Sequence, residues 1–130
     1  MSLLVDTDVL IWHLRGYAQA AHRLDRLTPL TLSAMSYLEL LQGMRNKEEL
    51  AAVQKMFALR QANVLPLTAA ITQRATELMT TLTLSHGLQA GDALIAATAL
   101  EHQLPLLTGN AKHFAPIAGL QVEKFALAPE

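Results

Sequence analysis

The sequence predicts an α/β domain, a parallel sheet with helices on both faces. Two observations lead there. Strand signals are brief and apolar, and helical patterns fill the stretches between them. Strands buried on both faces read as continuous apolar runs, and parallel neighbours need helical crossovers to join them.

The elements follow in order. Leu3-Leu4-Val5 reads as a buried strand that runs straight into Asp6-Thr7-Asp8. The pattern turns helical from Val9 to Leu14, and a second helix covers Gln19 to Leu27. Pro29 resets the backbone, after which Leu30-Thr31-Leu32 forms the second strand. Ser36 to Met44 reads as a buried helix ending near Gly43. Lys47 to Gln61 carries Leu50, Val53, Phe57 and Ala58 at the spacing of an amphipathic helix. Val64-Leu65 is a strand closed by Pro66. Thr68 or Ala69 to Leu84 reads as a long helix, capped near His86-Gly87. Asp92 to His102 is a strongly apolar helix. Leu106-Leu107-Thr108 and Leu120-Gln121-Val122 complete the strands, with a helical turn from Ala111 to Phe114 between them. No repeat, low-complexity tract or linker interrupts the 130 residues, so one domain over 1–130 is expected. Sheets of this kind bind ligands in the crevice outside the carboxyl ends of their strands.

Composition narrows the function. Hydrophobic residues make up 52% of the chain, enough for a core and incompatible with a disordered segment. Lys and Arg number 10 against 11 Asp and Glu, which argues against a strongly basic nucleic-acid scavenger or a polybasic membrane binder. The balance is uneven along the chain: residues 13–60 hold seven basic residues against four acids, an excess of three. That region could guide a phosphate backbone, and serves equally as an ordinary solvated face. There is no cysteine, which removes disulfides, thiolate nucleophiles and cysteine-based metal sites. The first residues lack the basic stretch of a signal peptide, and no apolar run approaches the roughly 18 residues that cross a bilayer. A cytoplasmic protein without membrane contact is expected.

Four acids stand in apolar company. Asp6 and Asp8 follow the first strand, Glu39 lies within Tyr37-Leu38-Glu39-Leu40-Leu41, and Asp92 opens Asp92-Ala93-Leu94-Ile95. A buried carboxylate is costly unless a cation or hydrogen-bond donors meet it, and no basic residue is close in sequence to serve. One divalent cation would serve several at once, since Mg²⁺ takes oxygen ligands, keeps several waters and binds substrate phosphates. Plainer roles are open for the same residues. Ser36-Tyr37-Leu38-Glu39 has the spacing of a capping box, and Asp8 and Asp92 could cap the helices that follow them. Asp6 alone lies ahead of the expected cap position.

The sequence around these acids resembles a known family. Leu4-Val5-Asp6-Thr7-Asp8-Val9-Leu10 is similar to the opening motif of PIN-domain ribonucleases, hydrophobic residues around Asp-Thr-Asn. The stretch from Ser33 to Gly43, with Glu39, resembles their second motif. Gly91-Asp92-Ala93-Leu94-Ile95-Ala96-Ala97-Thr98-Ala99 resembles the third, and Leu107-Thr108-Gly109-Asn110-Ala111-Lys112-His113-Phe114 the fourth. Within that family the likeness is greatest to VapC-type toxins of bacterial toxin–antitoxin pairs. The resemblance implies a three-layer α/β/α sandwich with a short parallel sheet. It also implies an endoribonuclease, dependent on Mg²⁺ or Mn²⁺, that hydrolyses RNA phosphodiester bonds. It carries over Asp6, Glu39 and Asp92 as catalytic, metal-binding acids, with Thr7 and Thr108 as supporting hydroxyls. Asp8 departs from the commoner Asn and adds a further candidate ligand. Asn110 stands where many members have a fourth Asp, which puts a second tightly held metal in doubt. The partners implied are an RNA substrate, with transfer RNA among the candidates, a cognate antitoxin protein, and a second copy in a homodimer.

Two rivals start from the same residues. Asp6-Thr7-Asp8 after a strand also suggests haloacid-dehalogenase-like phosphatases, but Leu10 stands where those carry Thr or Val, and no further Asp closely follows Asp92. A catalytically degenerate PIN-like domain that only binds a partner is the other, prompted by Asn110 and by few aromatic platforms for bases. The five His residues, at 13, 22, 86, 102 and 113, show no metal-ligand spacing.

Overall fold

The computed structural model describes residues 2–128. Its five strands are β1 (Leu4–Val5), β2 (Thr31–Ser33), β3 (Asn63–Leu65), β4 (Leu106–Thr108) and β5 (Val122–Lys124). All pair in parallel, in the order β3-β2-β1-β4-β5. The chain steps outward from β1 through α1 (Thr7–Leu14) and α2 (Ala18–Leu24) to β2, then through α3 (Ala34–Gln42) and α4 (Lys47–Leu59) to β3. It returns through α5 (Ala69–His86) and α6 (Ala90–His102) to the other side of β1, where β4, α7 (Ala111–Phe114) and β5 complete the sheet. The strand order therefore reverses between β1 and β4, and a crevice opens at their carboxyl ends.

Alternation along the strands builds two cores. Val5 and Leu107 turn to one face, where they meet Val9, Leu10, Leu24, Leu40 and Met56. Leu4 and Leu106 turn to the other, against Ile71, Ile95, Ala96 and Phe114. Successive strand residues point to opposite faces, so adjacent apolar residues feed both layers. Helix α6 is buried nearly all round through Ala93, Ile95, Ala96, Ala97, Thr98 and Ala99, which explains its continuous apolar pattern.

The expected order of elements is found, with shifted ends. Helix α1 begins at Thr7 rather than Val9, and α2 stops at Leu24 rather than Leu27. Strand β2 lies one residue later than expected, and α3 starts at Ala34, so Ser33 rather than Ser36 is its cap. Strand β5 lies two residues later than Leu120-Gln121-Val122, because its register sets Val122 opposite Leu106 and Lys124 opposite Thr108. Helix α5 runs to His86, two residues past the expected Leu84, and is capped as expected by Gly87, whose φ of 65° is the left-handed conformation that suits glycine. Among the described residues no helix is long and apolar enough to cross a membrane.

Candidate active site

Asp6 follows β1 directly, buried at the carboxyl end of the sheet with 5% of its surface exposed. One carboxylate oxygen caps α1, accepting from the Thr7 amide at 2.8 Å. The other accepts from the Thr108 hydroxyl at 2.7 Å, across the junction of β1 and β4. The expectation that Asp6 precedes the cap and Asp8 supplies it is therefore corrected. Because the helix begins at Thr7, Asp6 is the cap and Asp8 lies in the first turn.

Asp8 turns toward the loop after β4. Its Oδ2 accepts from the Gly109 amide at 3.0 Å, while Oδ1 is buried with no partner among the described residues. Gly109 permits this approach, since a Cβ there would lie 2.4 Å from the Trp12 ring and 2.8 Å from Asp8 Oδ2. Asn110 caps α7 without a side-chain hydrogen bond, and its amide donates to Thr108 Oγ1 at 3.0 Å.

Glu39 enters from α3. The capping box expected between Ser36 and Glu39 does not form, because the helix starts at Ala34, two residues before Ser36. Ser33 caps it instead, accepting from the Met35 amide at 3.0 Å, and the Thr98 hydroxyl bonds to Ser33 at 3.2 Å. Ser36 is left inside the helix with a buried, unpartnered hydroxyl. Glu39 is thereby released toward the crevice, where it accepts from the Thr7 hydroxyl at 2.7 Å. Its other oxygen lies so near Gly91 that a Cβ there would sit 3.0 Å from it. Gly91 thus lets α3 bring a carboxylate against the start of α6.

Asp92 is the next residue, in the first turn of α6, where the helix N-terminus favours negative charge. It does not cap the helix as expected; that position belongs to Gln89. His113 Nδ1 stands 3.5 Å from its carboxylate. Of the other histidines, His13 accepts from Arg60 at 3.4 Å.

The electrostatics set these acids apart. Burial, and after it the charge of Asp8, pushes the Asp6 carboxyl up to about 7, against the pull of the Thr108 and Thr7 hydrogen bonds; Asp92 adds to the rise. Burial also raises Asp8, with Asp92 contributing, and it raises Asp92 against the pull of His113. No lysine or arginine forms an ion pair with any of the four among the described residues.

Such a set suits a divalent cation. The orphaned oxygen of Asp8 and the uncompensated charge at Asp6 are what a bound cation would relieve. Among the described residues, no three or more His, Asp or Glu side chains converge closely enough to cage a metal by themselves. Mg²⁺ needs no such cage, since one or two carboxylates hold it while water and phosphate oxygens complete its shell. Thr108, Gly109 and Thr7 hold these carboxylates in place, as outer partners hold ligands in metal sites generally.

The sequence did not single out Ser33, Gly109 or Lys112 as parts of this region. Ser33 was hidden by the competing Ser36, and Gly109 matters only because distant side chains close upon it.

Comparison with known proteins agrees with this architecture. A family model described as the PIN domain matches residues 3–120. Ribonuclease VapC10 of Mycobacterium tuberculosis is 40% identical over 116 residues, covering 86% of this chain and 85% of that protein. A toxin–antitoxin complex from Klebsiella pneumoniae superposes with a TM-score of 0.75 at 30% identity, covering 95% of this chain and 97% of that one. VapBC2 from Rickettsia felis, bound to a DNA fragment from its promoter, gives a TM-score of 0.80 at 19% identity. It covers 97% of this chain and 100% of that one and bears on the fold alone.

Proposed function

The chain belongs to the PIN-domain family, and from that premise we propose that it is a divalent-metal-dependent endoribonuclease, the VapC-type toxin of a toxin–antitoxin pair. One observation carries the reading: buried Asp6 beside half-buried Asp8 and Asp92 at the strand-order switch, with Asp6 pushed up to about 7 by burial and by its neighbours' charge and no basic side chain paired to it. Membership of this family displaces the haloacid-dehalogenase-like alternative.

Asp6 and Asp92, with help from Glu39, are the residues we assign to Mg²⁺ or Mn²⁺, and Asp8 is a further candidate. When bound, such an ion supplies charge for the phosphoryl oxygens and acidifies water. The chain's own residues orient the site. Thr108 and the Thr7 amide fix both oxygens of Asp6, the Thr7 hydroxyl fixes Glu39, and Gly109 fixes Asp8. In-line attack of water on the scissile phosphate leaves a 5′-phosphate and a 3′-hydroxyl. The substrate is RNA, with transfer RNA a candidate, and the partners are an antitoxin protein and a second copy of the chain. The working unit is one PIN-like domain over 1–130, acting in the cytoplasm.

The test is incubation of the purified chain with total cellular RNA in Mg²⁺, Mn²⁺ or EDTA, with cut sites mapped. Discrete cuts that vanish in EDTA are expected. Undiminished cleavage in excess EDTA overturns the metal assignment. Absence of cleavage and of Mg²⁺ or Mn²⁺ binding leaves the degenerate, partner-binding domain.

A further inference from the structure

We infer that the cleft beside Asp92 is a subsite for an RNA backbone phosphate flanking the scissile one, with Lys112 as its cation; this rests on the ribonuclease reading above. The cleft is a cavity of about 260 Å³, with Asp92, Lys112 and His113 on its walls and the turn from His86 to Gln89 facing them. It adjoins the acid crevice through Asp92, so a strand whose scissile phosphate lies among the acids can continue into it.

The cleft is built on the same hydrogen bonds as the candidate active site. Thr108 donates to Asp6, the Asn110 amide donates to Thr108, and the His113 amide donates to the Asn110 carbonyl at 3.0 Å. Phe114, 1% exposed, plugs α7 into the core, while Lys112 and His113 stay on its exposed side. The opposite wall is held by buried Leu88 and by Gly87 in its left-handed conformation. Lys112 is the one lining side chain with a full positive charge, and it forms no ion pair among the described residues. A phosphodiester approaching four carboxylates meets repulsion, and an unpaired ammonium beside them offsets it at the neighbouring phosphate. Gln89 Nε2, which also donates to the Gly87 carbonyl at 3.3 Å, and the Nε2 atoms of the two imidazoles, whose Nδ1 atoms face Ser85 and Asp92, add polar groups suited to phosphate oxygens.

The inference is tested by cleavage of total cellular RNA in Mg²⁺ at several salt concentrations, comparing wild type with Lys112→Ala, Lys112→Arg and Arg74→Met. Lys112 is exposed, so its replacement leaves the core untouched. For Lys112→Ala, the apparent KM is expected to rise roughly three- to tenfold with kcat within about twofold, the signature of a lost phosphate contact. The slope of log KM against log salt should fall by about 0.7, the value for one phosphate contact on a single strand. Lys112→Arg should restore most of the affinity, and Arg74→Met, which removes a cation already paired with Glu101 and outside the cleft lining, should match wild type. A Lys112→Ala chain with the KM and salt slope of a cleaving wild type overturns the subsite and spares the ribonuclease reading. A wild type that cleaves no RNA overturns both.

Discussion

Two sets of acids in this chain are treated by the fold in opposite ways, with exposed Glu48 and Glu77 in neither. Asp25, Glu49, Glu101 and Glu123 lie on the surface, and each meets an arginine: Arg60, Arg45, Arg74 and Arg23 respectively. Asp6, Asp8, Glu39 and Asp92 surround the crevice, and none meets an arginine or lysine. Pairing is thus found where water already screens the charge and is missing where burial makes it expensive. The difference teaches that the crevice is arranged for something other than stability. Without those four acids, the ten lysines and arginines face seven acids, a surplus of three positive charges. A chain of net charge −1 can thereby present a mildly basic exterior to RNA while holding its negative charge in one place.

The strongest way to break this contrast is to remove a crevice charge. Asn is a good helix cap, so Asp6→Asn keeps the start of α1 while removing the ionised carboxylate. Cleavage should fall by more than about a hundredfold, the scale of the several kcal/mol that a metal site supplies. Stability should move the other way at neutral pH. In metal-free wild type, the Asp6 carboxyl keeps its proton up to about 7, whereas the unfolded chain releases it near 3.8. Between those values the folded state binds more protons, so stability declines as pH rises and levels off above about 7, by up to about 1.4 kcal/mol per pH unit. Asp8 and Asp92, also raised, act in the same direction. Urea unfolding in EDTA from pH 5 to 8 should show that decline in wild type and a flatter profile in Asp6→Asn. An Asn variant less stable than wild type at pH 8 would sink the idea that Asp6 is an uncompensated charge.

Much of this was legible in the chain, and the rest has identifiable causes. Strands such as Leu106-Leu107-Thr108 announce themselves because both neighbours of the pleat are apolar, and the order of elements follows from them. The four acids stood out because nothing basic lies near them in sequence, and the fold keeps them unpaired. Capping was misread where two serines competed. Ser33 and Ser36 are both able to cap, and the choice was made by tertiary structure: β2 extends to Ser33, and Thr98 of α6 bonds to its hydroxyl. Gly109 could not be singled out at all, since the Asp8 carboxylate it accommodates is 101 positions away. Lys112 lies within the stretch that resembles the fourth motif, but the sequence gives it no role, because the other wall of its cleft is the distant turn after α5.

Gly109 offers a milder perturbation of the crevice. In Gly109→Ala the new Cβ would lie 2.4 Å and 2.7 Å from two atoms of the Trp12 ring, so ring or loop must shift. Trp12 also packs on Phe125 with centroids 5.6 Å apart, so the ring has limited freedom to yield. A loss of about 1–3 kcal/mol is expected, as for overpacked sites generally. Activity should fall roughly 10- to 100-fold, because the loop that orients Asp8 and Asp6 moves with it. Thermal unfolding and cleavage assays on the same preparation read both effects. A variant of unchanged activity would mean that the Asp8–Gly109 contact does not hold the site.

The smallest effect belongs to the surface population and completes the contrast. Arg74 and Glu101 link α5 to α6 at 2.9 Å, with side chains 42% and 30% exposed. Water solvates both groups in the unfolded chain, and their attraction in the folded state is screened and opposed by the entropy of holding two long side chains still. Glu101→Gln should therefore cost about 0.2–1 kcal/mol and leave RNA cleavage unchanged. Raising the salt should shrink that cost further, as screening shortens the reach of exposed charges. A double-mutant cycle with Arg74→Met isolates the pair from the incidental effects of either substitution. A coupling of several kcal/mol would mean that surface pairs anchor the fold, and the crevice acids would then be unusual in location alone. A coupling below about 1 kcal/mol keeps the two populations distinct, with the paired acids nearly free of consequence for stability and the unpaired ones carrying the chemistry.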